Sequence, residues 1–422
     1  MFLPKGGIMM GELFTSIDLG TSKINIIIGE VDKNGYIQII GVGNSPCDGI
    51  KKGVVVDIES TSMAIINALE QAENMADVEI TEAYVNIPGG YTNLIRNKGI
   101  IAVSGENREI NYDDVKRVLN SATILSLPQD QQIIDIIPIQ YIIDGFDEIK
   151  DPVGMVGIRL EADVDIVLGS TTTILNIVKS VNEAGIEVLG IIPESFAVSE
   201  SILSKDEKEL GILVIDIGAG TSDFSVFKNN QLIHNSLVPI GGNHITNDIS
   251  VGLRISFKES EQIKRDFGLA YSPLARENNI FSVTPIGIND KINVSELSLS
   301  KIIEARIEEL FEIIDAEIKR EKLKDMILAG VVITGGGISY FPGVTDLANE
   351  IFNLPTRVGR PDSIGVKEPI YSTCYGLVTY STKRKFNYYV EYNNVDIKNK
   401  KAKKNSSNRI SSFFKKIWEE YF

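Results

Sequence analysis

The sequence predicts an α/β protein in which one domain occurs twice, with a small α/β insert in the first copy and an amphipathic helix at the C-terminus. Three observations predict it. An apolar strand ending in Asp-x-Gly and followed by hydroxyl residues occurs twice, once through Ile17-Asp18-Leu19-Gly20-Thr21-Ser22 and again through Ile215-Asp216-Ile217-Gly218-Ala219-Gly220-Thr221-Ser222. Asp18 and Asp216 lie 198 residues apart, a distance that marks a duplicated domain rather than a short-period solenoid. Strand and helix patterns alternate through both halves, and the last residues sort their apolar and charged side chains onto opposite sides of a helix.

With 422 residues the chain has length for two or three domains. Its 43% hydrophobic and 23% charged residues exclude collagen-like, disordered and disulfide-scaffold classes. Cys47 and Cys374 are too few for a disulfide framework and fit a reducing compartment. His234 and His244 are the only histidines, which gives His-based zinc sites and Ser–His–Asp triads little support. No apolar run reaches the ~18–20 residues of a membrane span, and Met1 to Gly11 lacks the apolar stretch of a signal peptide. The net charge is −15, but from Ser381 to Phe422 eleven Lys or Arg face four Asp or Glu, a net of +7 that leaves −22 on residues 1–380. An acidic body argues against nucleic acid as a partner, and a basic tail points to an anionic surface.

In chain order, Phe14 to Ile28 reads as strand, turn, strand, with further strands at Gln38 to Val42 and Gly53 to Val56. Thr61 to Ala76 has helical spacing through Ile65, Ile66, Leu69 and Ala72, and Ala83 to Ile87 is a strand closed by Pro88-Gly89-Gly90. Residues 88–160 change character and read as the insert, with a helix at Tyr112 to Ala122 and strands at Ile133–Ile137 and Tyr141–Ile143. Val164 to Gly169 reads as the main domain resuming, followed by a helix from Thr171 to Ala184. In the second half, helix patterns cover Ile245 to Leu253, Phe257 to Asp266, Ser300 to Lys324 and Val344 to Phe352, and a buried strand runs from Gly330 to Thr334. Lys383 to Arg409 is polar and aperiodic.

The two Asp-x-Gly turns and the Gly335-Gly336-Gly337 turn each end an apolar strand. Glycine admits close approach of an anion, and successive N–H groups form an anion-binding nest. The hydroxyls of Thr21, Ser22, Thr221 and Ser222 add donors, and Lys23 reaches a phosphate as a point charge. Asp18 and Asp216 can each hold a hydrated Mg²⁺. A single Asp-Gly turn is an ordinary hairpin; two near-identical ones plus the triple glycine in this order make a nucleotide site. Neither a Walker A loop nor a GxGxxG fingerprint is present.

This order resembles the actin, chaperone and sugar-kinase superfamily, in which ATP lies between two duplicated ribonuclease-H-like domains. The resemblance implies ATP and Mg²⁺ as cofactors, bound by Asp18, Gly20, Thr21, Ser22, Lys23, Asp216, Gly218, Gly220, Thr221, Ser222, Gly241, Gly242, Asn243, Gly335, Gly336 and Gly337, with Asp18 and Asp216 at the metal. Glu261 and Lys264, in Ser260-Glu261-Gln262-Ile263-Lys264-Arg265, resemble the helix pair that contacts ribose and adenine, although a Glu-x-x-Lys pair alone is an ordinary surface ion pair. Glu194, after Pro193, stands near the Glu-Pro of the chaperones with the order reversed; it either orders the Mg²⁺ waters as the one catalytic candidate or simply starts a helix.

Within the superfamily the match narrows to the FtsA family of bacterial cell-division proteins, on Asp18-Leu-Gly-Thr-Ser-Lys23, Gly53-Val-Val-Val-Asp57 and Gly241-Gly-Asn-His-Ile-Thr-Asn-Asp248 with Gly252-Leu253. It implies an actin-like domain 1A at 11–87 and 161–205, an inserted subdomain 1C at 88–160, domain 2A at 206–241 and 328–380, subdomain 2B at 242–327, a flexible linker at 381–409 and a membrane-targeting helix at 410–422. The second turn departs from many relatives, with Ala219 between Gly218 and Gly220.

On a helical wheel Ile410, Phe413, Phe414, Ile417, Trp418 and Tyr421 share one half, while Lys415, Lys416, Glu419 and Glu420 occupy the other. Thirteen residues give ~20 Å of helix, too short to span a bilayer. The only Trp lies on the apolar face, and neighbouring lysines suit an anionic leaflet. Docking on the protein's own body or in a groove of a partner is the alternative. The polar linker, costly to order, argues against it.

The resemblance implies a cytoplasmic protein, peripheral on the inner face of the cell membrane at the division site. It would self-assemble as a homopolymer, anchor FtsZ filaments to anionic inner-membrane lipid and recruit later divisome membrane proteins. No residue besides Glu194 stands out as a general base, so the expectation is an ATP-binding protein that is at most a slow ATPase. The alternatives are a PilM-type pilus-assembly adaptor, which lacks such a terminal helix, and a sugar-kinase-like phosphotransferase, which has no need of one. A chaperone reading fails for want of a substrate-binding β-domain.

Overall fold

The structure is a computed structural model that describes residues 11–32, 35–105, 107–287 and 290–396, with 385–396 as backbone only. The C-terminal helix expected at 410–422, with all six of its membrane-facing residues, lies outside the described residues. The chain divides into two compact units, one joining Met1–Gly89 to Val178–Phe422 and the other spanning Gly90–Ile177.

The first unit opens with β1 (Glu12–Leu19), β2 (Lys23–Val31) and β3 (Ile37–Pro46), then a short hairpin of β4 (Ile50–Lys51) and β5 (Val54–Val55), α1 (Ile58–Ala76) and β6 (Glu82–Ile87). Phe14 to Leu19 are buried without interruption, the pattern of a strand covered on both faces. Asp57 caps α1 by accepting from Ser60 N, and Asp77 ends it in a left-handed conformation. A Cβ on Gly43 would lie 1.8 Å from Ala68 O, so β3 and α1 meet only because that position has no side chain.

The second unit holds β7 (Thr92–Ala102), α2 (Tyr112–Ala122), β8 (Gln131–Ile143), β9 (Phe146–Ile149) and β10 (Arg159–Ser170) in an antiparallel sheet of order β7-β10-β8-β9. α2 starts on a capping box between Asn111 and Asp114. The expected strands at Ile133–Ile137 and Tyr141–Ile143 are one strand, β8, whose Pro138 sits at a register shift opposite Val164. The expected boundary at 160 needs correction. β10 pairs along its length with β7 and β8 and so belongs to the insert sheet, not to the main domain. The reason is visible in Leu160, Ala162, Val164, Ile166 and Leu168, all fully buried, which alternate with Glu161, Asp163 and Asp165. That period of two in polarity puts the apolar side chains on one face and a carboxylate row, paired with Arg96, Lys98 and Arg159, on the other.

α3 (Thr171–Glu183) contains the boundary between units. The first unit continues through β11 (Glu187–Pro193), α4 (Glu194–Ile202), α5 (Lys205–Leu210), β12 (Ile212–Ile217), β13 (Ser222–Lys228), β14 (Gln231–Val238), α6 (Gly242–Leu253) and α7 (Phe257–Phe267). It ends with β15 (Ile280–Val283), β16 (Ile292–Ser295), α8 (Glu296–Arg320), β17 (Val331–Thr334), α9 (Val344–Phe352), β18 (Thr356–Val358) and α10 (Ser372–Asp396).

Its two main sheets have the orders β3-β2-β1-β6-β11 and β14-β13-β12-β17-β18. In both, three antiparallel strands are extended by two parallel ones, so the duplication read from the Asp-x-Gly repeats is a duplication of topology. Ile303, Ile307, Leu310 and Ile314 form the expected stripe on α8 and pack in the second core with Leu213, Ile215 and Phe352. α10 carries Cys374 and Val378 into the core beneath β1 and Leu377 against Ala197 of α4. It runs to Asp396, into the stretch expected as linker from 381. Ser381 and Thr382 are buried and Ser381 Oγ donates to Leu377 O, so polar residues here continue a packed helix. Among the described residues no helix is long and apolar enough to cross a membrane.

Candidate functional site

The β1–β2 and β12–β13 turns have the same register. Asp18 pairs with Asn25 and Leu19 with Ile24, just as Asp216 pairs with Asp223 and Ile217 with Ser222. Gly20 N donates to Lys23 O at 3.1 Å, and Gly218 N to Thr221 O at 2.9 Å. The offset of 198 therefore holds through each turn, and the two Thr-Ser pairs are not equivalent. Thr21 and Ser22 lie in the first turn, whereas Thr221 closes the second and Ser222 begins β13. Ser222 is fully buried and its Oγ donates to Ile240 O at 2.7 Å, a hydroxyl already committed to the backbone. Lys23 is the first residue of β2. Gly53 N donates to Thr21 Oγ1, which joins the Gly53–Asp57 segment to the first turn.

The three glycine turns meet. A Cβ on Gly220 would lie 2.7 Å from Thr21 Cγ2, so the second turn rests directly on the first. Gly242 N and Asn243 N donate to Gly218 O and Ala219 O at 3.0 and 2.8 Å, and Gly337 N donates to Ile217 O at 2.7 Å. These three N–H groups hold the wall together. Gly335 adopts φ +89° and a Cβ there would come within 2.3 Å of Asp216 Oδ1, so only glycine fits. Gly336 packs near Ile370, and Gly241 N donates to His244 Nδ1 at 3.1 Å. Ala219 has no left-handed conformation.

Glu261 and Lys264 sit on α7 beneath the Gly241-Gly242-Asn243 turn. Lys264 Nζ reaches Glu261 Oε2 at 2.6 Å, Gly242 O at 2.9 Å and Thr246 Oγ1 at 2.7 Å, and Arg265 adds a second pair to Glu261 at 2.8 Å. Burial drives the Lys264 pKa down. Burial also raises that of Glu261, but its hydrogen bonds from Lys264 and Thr246 outweigh it and leave the carboxyl low. The pair thus buttresses the turn from within.

Carboxylates converge at the strand ends. Burial pushes Asp18 up to about 7, with the Asn25 amide opposing and the Asp216 charge adding. Burial pushes Asp216 up to about 6 against the hydrogen bond from Thr373 Oγ1 at 3.0 Å. Glu194 is raised well above the usual carboxylate range, first by burial and then by Asp223, Asp216 and Asp18. Glu194 opens α4 with Pro193 at its N-cap, as the helix-start reading expects, and its carboxyl also feels the charges of Asp223, Asp216 and Asp18. A cleft next to them is lined by Gly89, Glu194, Ser195, Asp216, Asp223 and Asn235. Mutually repelling, half-desolvated carboxylates are a place for a cation. Among the described residues no trio of His, Cys, Asp or Glu is spaced to ligate a metal directly. Asp18 and Asp216 would hold it, and it would neutralise phosphate charge when bound.

Sequence reasoning missed Asp223, Asn86 and Thr373. Asp223 was recoverable, since it stands 198 residues after Asn25 in the repeat. Asn86 and Thr373 carried no signal, because they join the site only through the parallel strand β6 and the start of α10.

Two family models match the chain: Cell division protein FtsA over residues 213–376, and the SHS2 domain inserted in FTSA over 89–168. The chain is 42% identical to the cell division protein FtsA of Bacillus subtilis, over 88% of this chain and 84% of that one. It is 36% identical to that of Borreliella burgdorferi, over 97% and 100%. Among solved structures, the PilM–PilN type IV pilus biogenesis complex matches with a TM-score of 0.60 at 13% identity, over 87% of this chain and 98% of that one. MreB5 of Spiroplasma citri bound to ADP matches with a TM-score of 0.54 at 14% identity, over 90% and 98%. These likenesses show an actin-like ATPase fold. Taken with the identities over nearly the whole chain, they place it: this is an actin-like cell-division protein that belongs to the FtsA family.

Proposed function

We propose that this chain binds ATP with Mg²⁺ between its duplicated halves, self-assembles on the cytoplasmic face of the membrane, anchors FtsZ filaments there and recruits later divisome membrane proteins. The observation that carries the nucleotide reading is the meeting of three glycine turns beside Asp18 and Asp216, with Gly220 resting on Thr21. MreB5 of the same fold was solved with ADP and with AMPPNP, which supports a nucleotide in the corresponding cleft. The acidic cluster explains why a divalent cation would accompany it. The membrane reading rests on the sequence of residues 410–422, with one apolar and one charged half.

Saturating MgATP should raise the melting temperature through binding to the folded state alone, and an unchanged melting temperature would defeat the nucleotide reading. Liposome co-sedimentation of the full chain against a chain ending at Lys404 tests the membrane reading. Equal sedimentation of the two would defeat it.

A further inference from the structure

Asn86 is fully buried in β6, and its side chain touches two functional segments at once. Leu19 N donates to its Oδ1 at 2.7 Å, and its Nδ2 donates to Glu194 Oε1 at 2.6 Å. The orientation of this amide is fixed chemically. A backbone N–H can only donate, so the atom facing Leu19 is the oxygen, and the nitrogen must face Glu194. Glu194 Oε1 is therefore held as an acceptor. Leu19 directly follows Asp18 in the first turn, so the same amide ties that turn to the start of α4.

We infer that Asn86 is a positioning residue that fixes which oxygen of Glu194 is available to the cleft, and that it sets the hydrolytic step rather than nucleotide affinity. This rests on the ATP-binding reading above. With Oε1 occupied, Oε2 is left for proton transfer. In hydrolysis the water oxygen bonds to the γ-phosphorus, the bond to the bridging oxygen breaks with its electron pair leaving on ADP, and the water proton passes to Oε2 of Glu194 in its ionised form. A carboxylate free to rotate would present either oxygen, and small misplacements of a reacting group cost much of the rate. A merely structural Asn86 would serve Leu19 N alone, and any acceptor in its place would do.

The test uses the full chain and single-turnover hydrolysis of radiolabelled MgATP, with affinity measured separately by thermal shift. Asn86→Ala should lower the single-turnover rate by roughly 10- to 100-fold while the affinity for MgATP stays within about threefold. Asn86→Asp keeps an acceptor for Leu19 N but turns an oxygen toward Glu194, and it should lose turnover to a similar extent while still binding MgATP. On a Glu194→Gln background the further loss from Asn86→Ala should be under about twofold, because the two act as one unit. Wild-type turnover in Asn86→Asp, fully multiplicative losses in the double variant, or MgATP binding by wild type with no turnover would each overturn the inference. Should Asn86→Ala not fold, the Asp variant decides alone. Failure of wild type to bind MgATP would instead defeat the nucleotide reading, and this inference with it.

Discussion

Replacing Asp216 by Asn should stabilise the nucleotide-free protein and abolish its response to MgATP. In the folded state Asp216 holds its proton up to about 6, while in the unfolded chain it titrates at the ordinary 3.8. Between these values the folded state binds more protons, so its stability falls as pH rises through that window and stays low above it. The difference amounts to about 3 kcal/mol at about pH 8, and roughly half of that at about pH 5. It is an upper bound, since Asp216 keeps part of its surface open to the cleft. Asn keeps an oxygen for Thr373 Oγ1 and removes the charge, which also relieves Asp18 and Glu194. Urea unfolding without divalent ions should show the variant more stable by ~1–3 kcal/mol at about pH 8, with the gain shrinking toward pH 5. Ligand at a thousandfold its Kd adds about 4.1 kcal/mol to the wild type, and the variant, lacking the metal's carboxylate, should gain little. The order of stabilities therefore inverts when MgATP is added. A variant less stable than wild type at about pH 8 without ligand would refute the burial reasoning.

Gly335→Ala should cost ~1–3 kcal/mol from the left-handed backbone alone and weaken MgATP binding in a thermal shift, because its Cβ would push on Asp216. Asp315 is drawn down by hydrogen bonds from Lys319 and Lys324 that outweigh its burial. Its contribution is present above the unfolded value of 3.8 and lost as pH falls through the lower folded value, so Asp315→Asn should destabilise at neutral pH and be nearly silent in acid. Ile166→Ala, in the buried face of β10, should cost ~2–5 kcal/mol of insert stability, read by hydrogen exchange confined to residues 90–177. Trp418→Glu should release the chain from anionic vesicles with MgATP binding unchanged, and Lys415→Gln with Lys416→Gln should weaken vesicle binding less and chiefly at low salt.

The Asp-x-Gly hairpins were legible because each turn joins two apolar strands of the same short span, and α8 because its apolar stripe repeats at helical spacing. The convergence of Gly220 on Thr21 was legible only through resemblance, since local pattern says nothing of which turns meet. β10 was misassigned because its apolar run was read for hydrophobicity and not for alternation. α10 was hidden because Ser372, Thr373 and Ser381 are polar residues whose partners are distant in sequence or lie within the helix itself. Lys264 looked like half of a surface pair, and only the fold buries it against Gly242 O.

The duplication also explains why the cleft is lopsided. Asn25 and Asp223 occupy the same place in the two copies, each opposite the strand-end aspartate. In the first copy that place holds an amide, whose Nδ2 donates to Asp18 Oδ2 at 3.1 Å and partly offsets its burial. In the second it holds a carboxylate, and the charge of Asp223 is the largest electrostatic influence on Glu194. The partner of Asp216 comes instead from outside the repeat, as Thr373 at the start of α10. One copy therefore satisfies its aspartate internally, while the other passes negative charge toward Glu194 and borrows a hydroxyl from α10. Exchanging the two residues, Asn25→Asp with Asp223→Asn, would move the repulsion from Glu194 to Asp18 without changing net charge. It should leave the fold intact and weaken divalent-dependent nucleotide binding in a thermal-shift titration, because the cation would then face an aspartate pair in the first copy's turn and Asp216 beside an amide in the second.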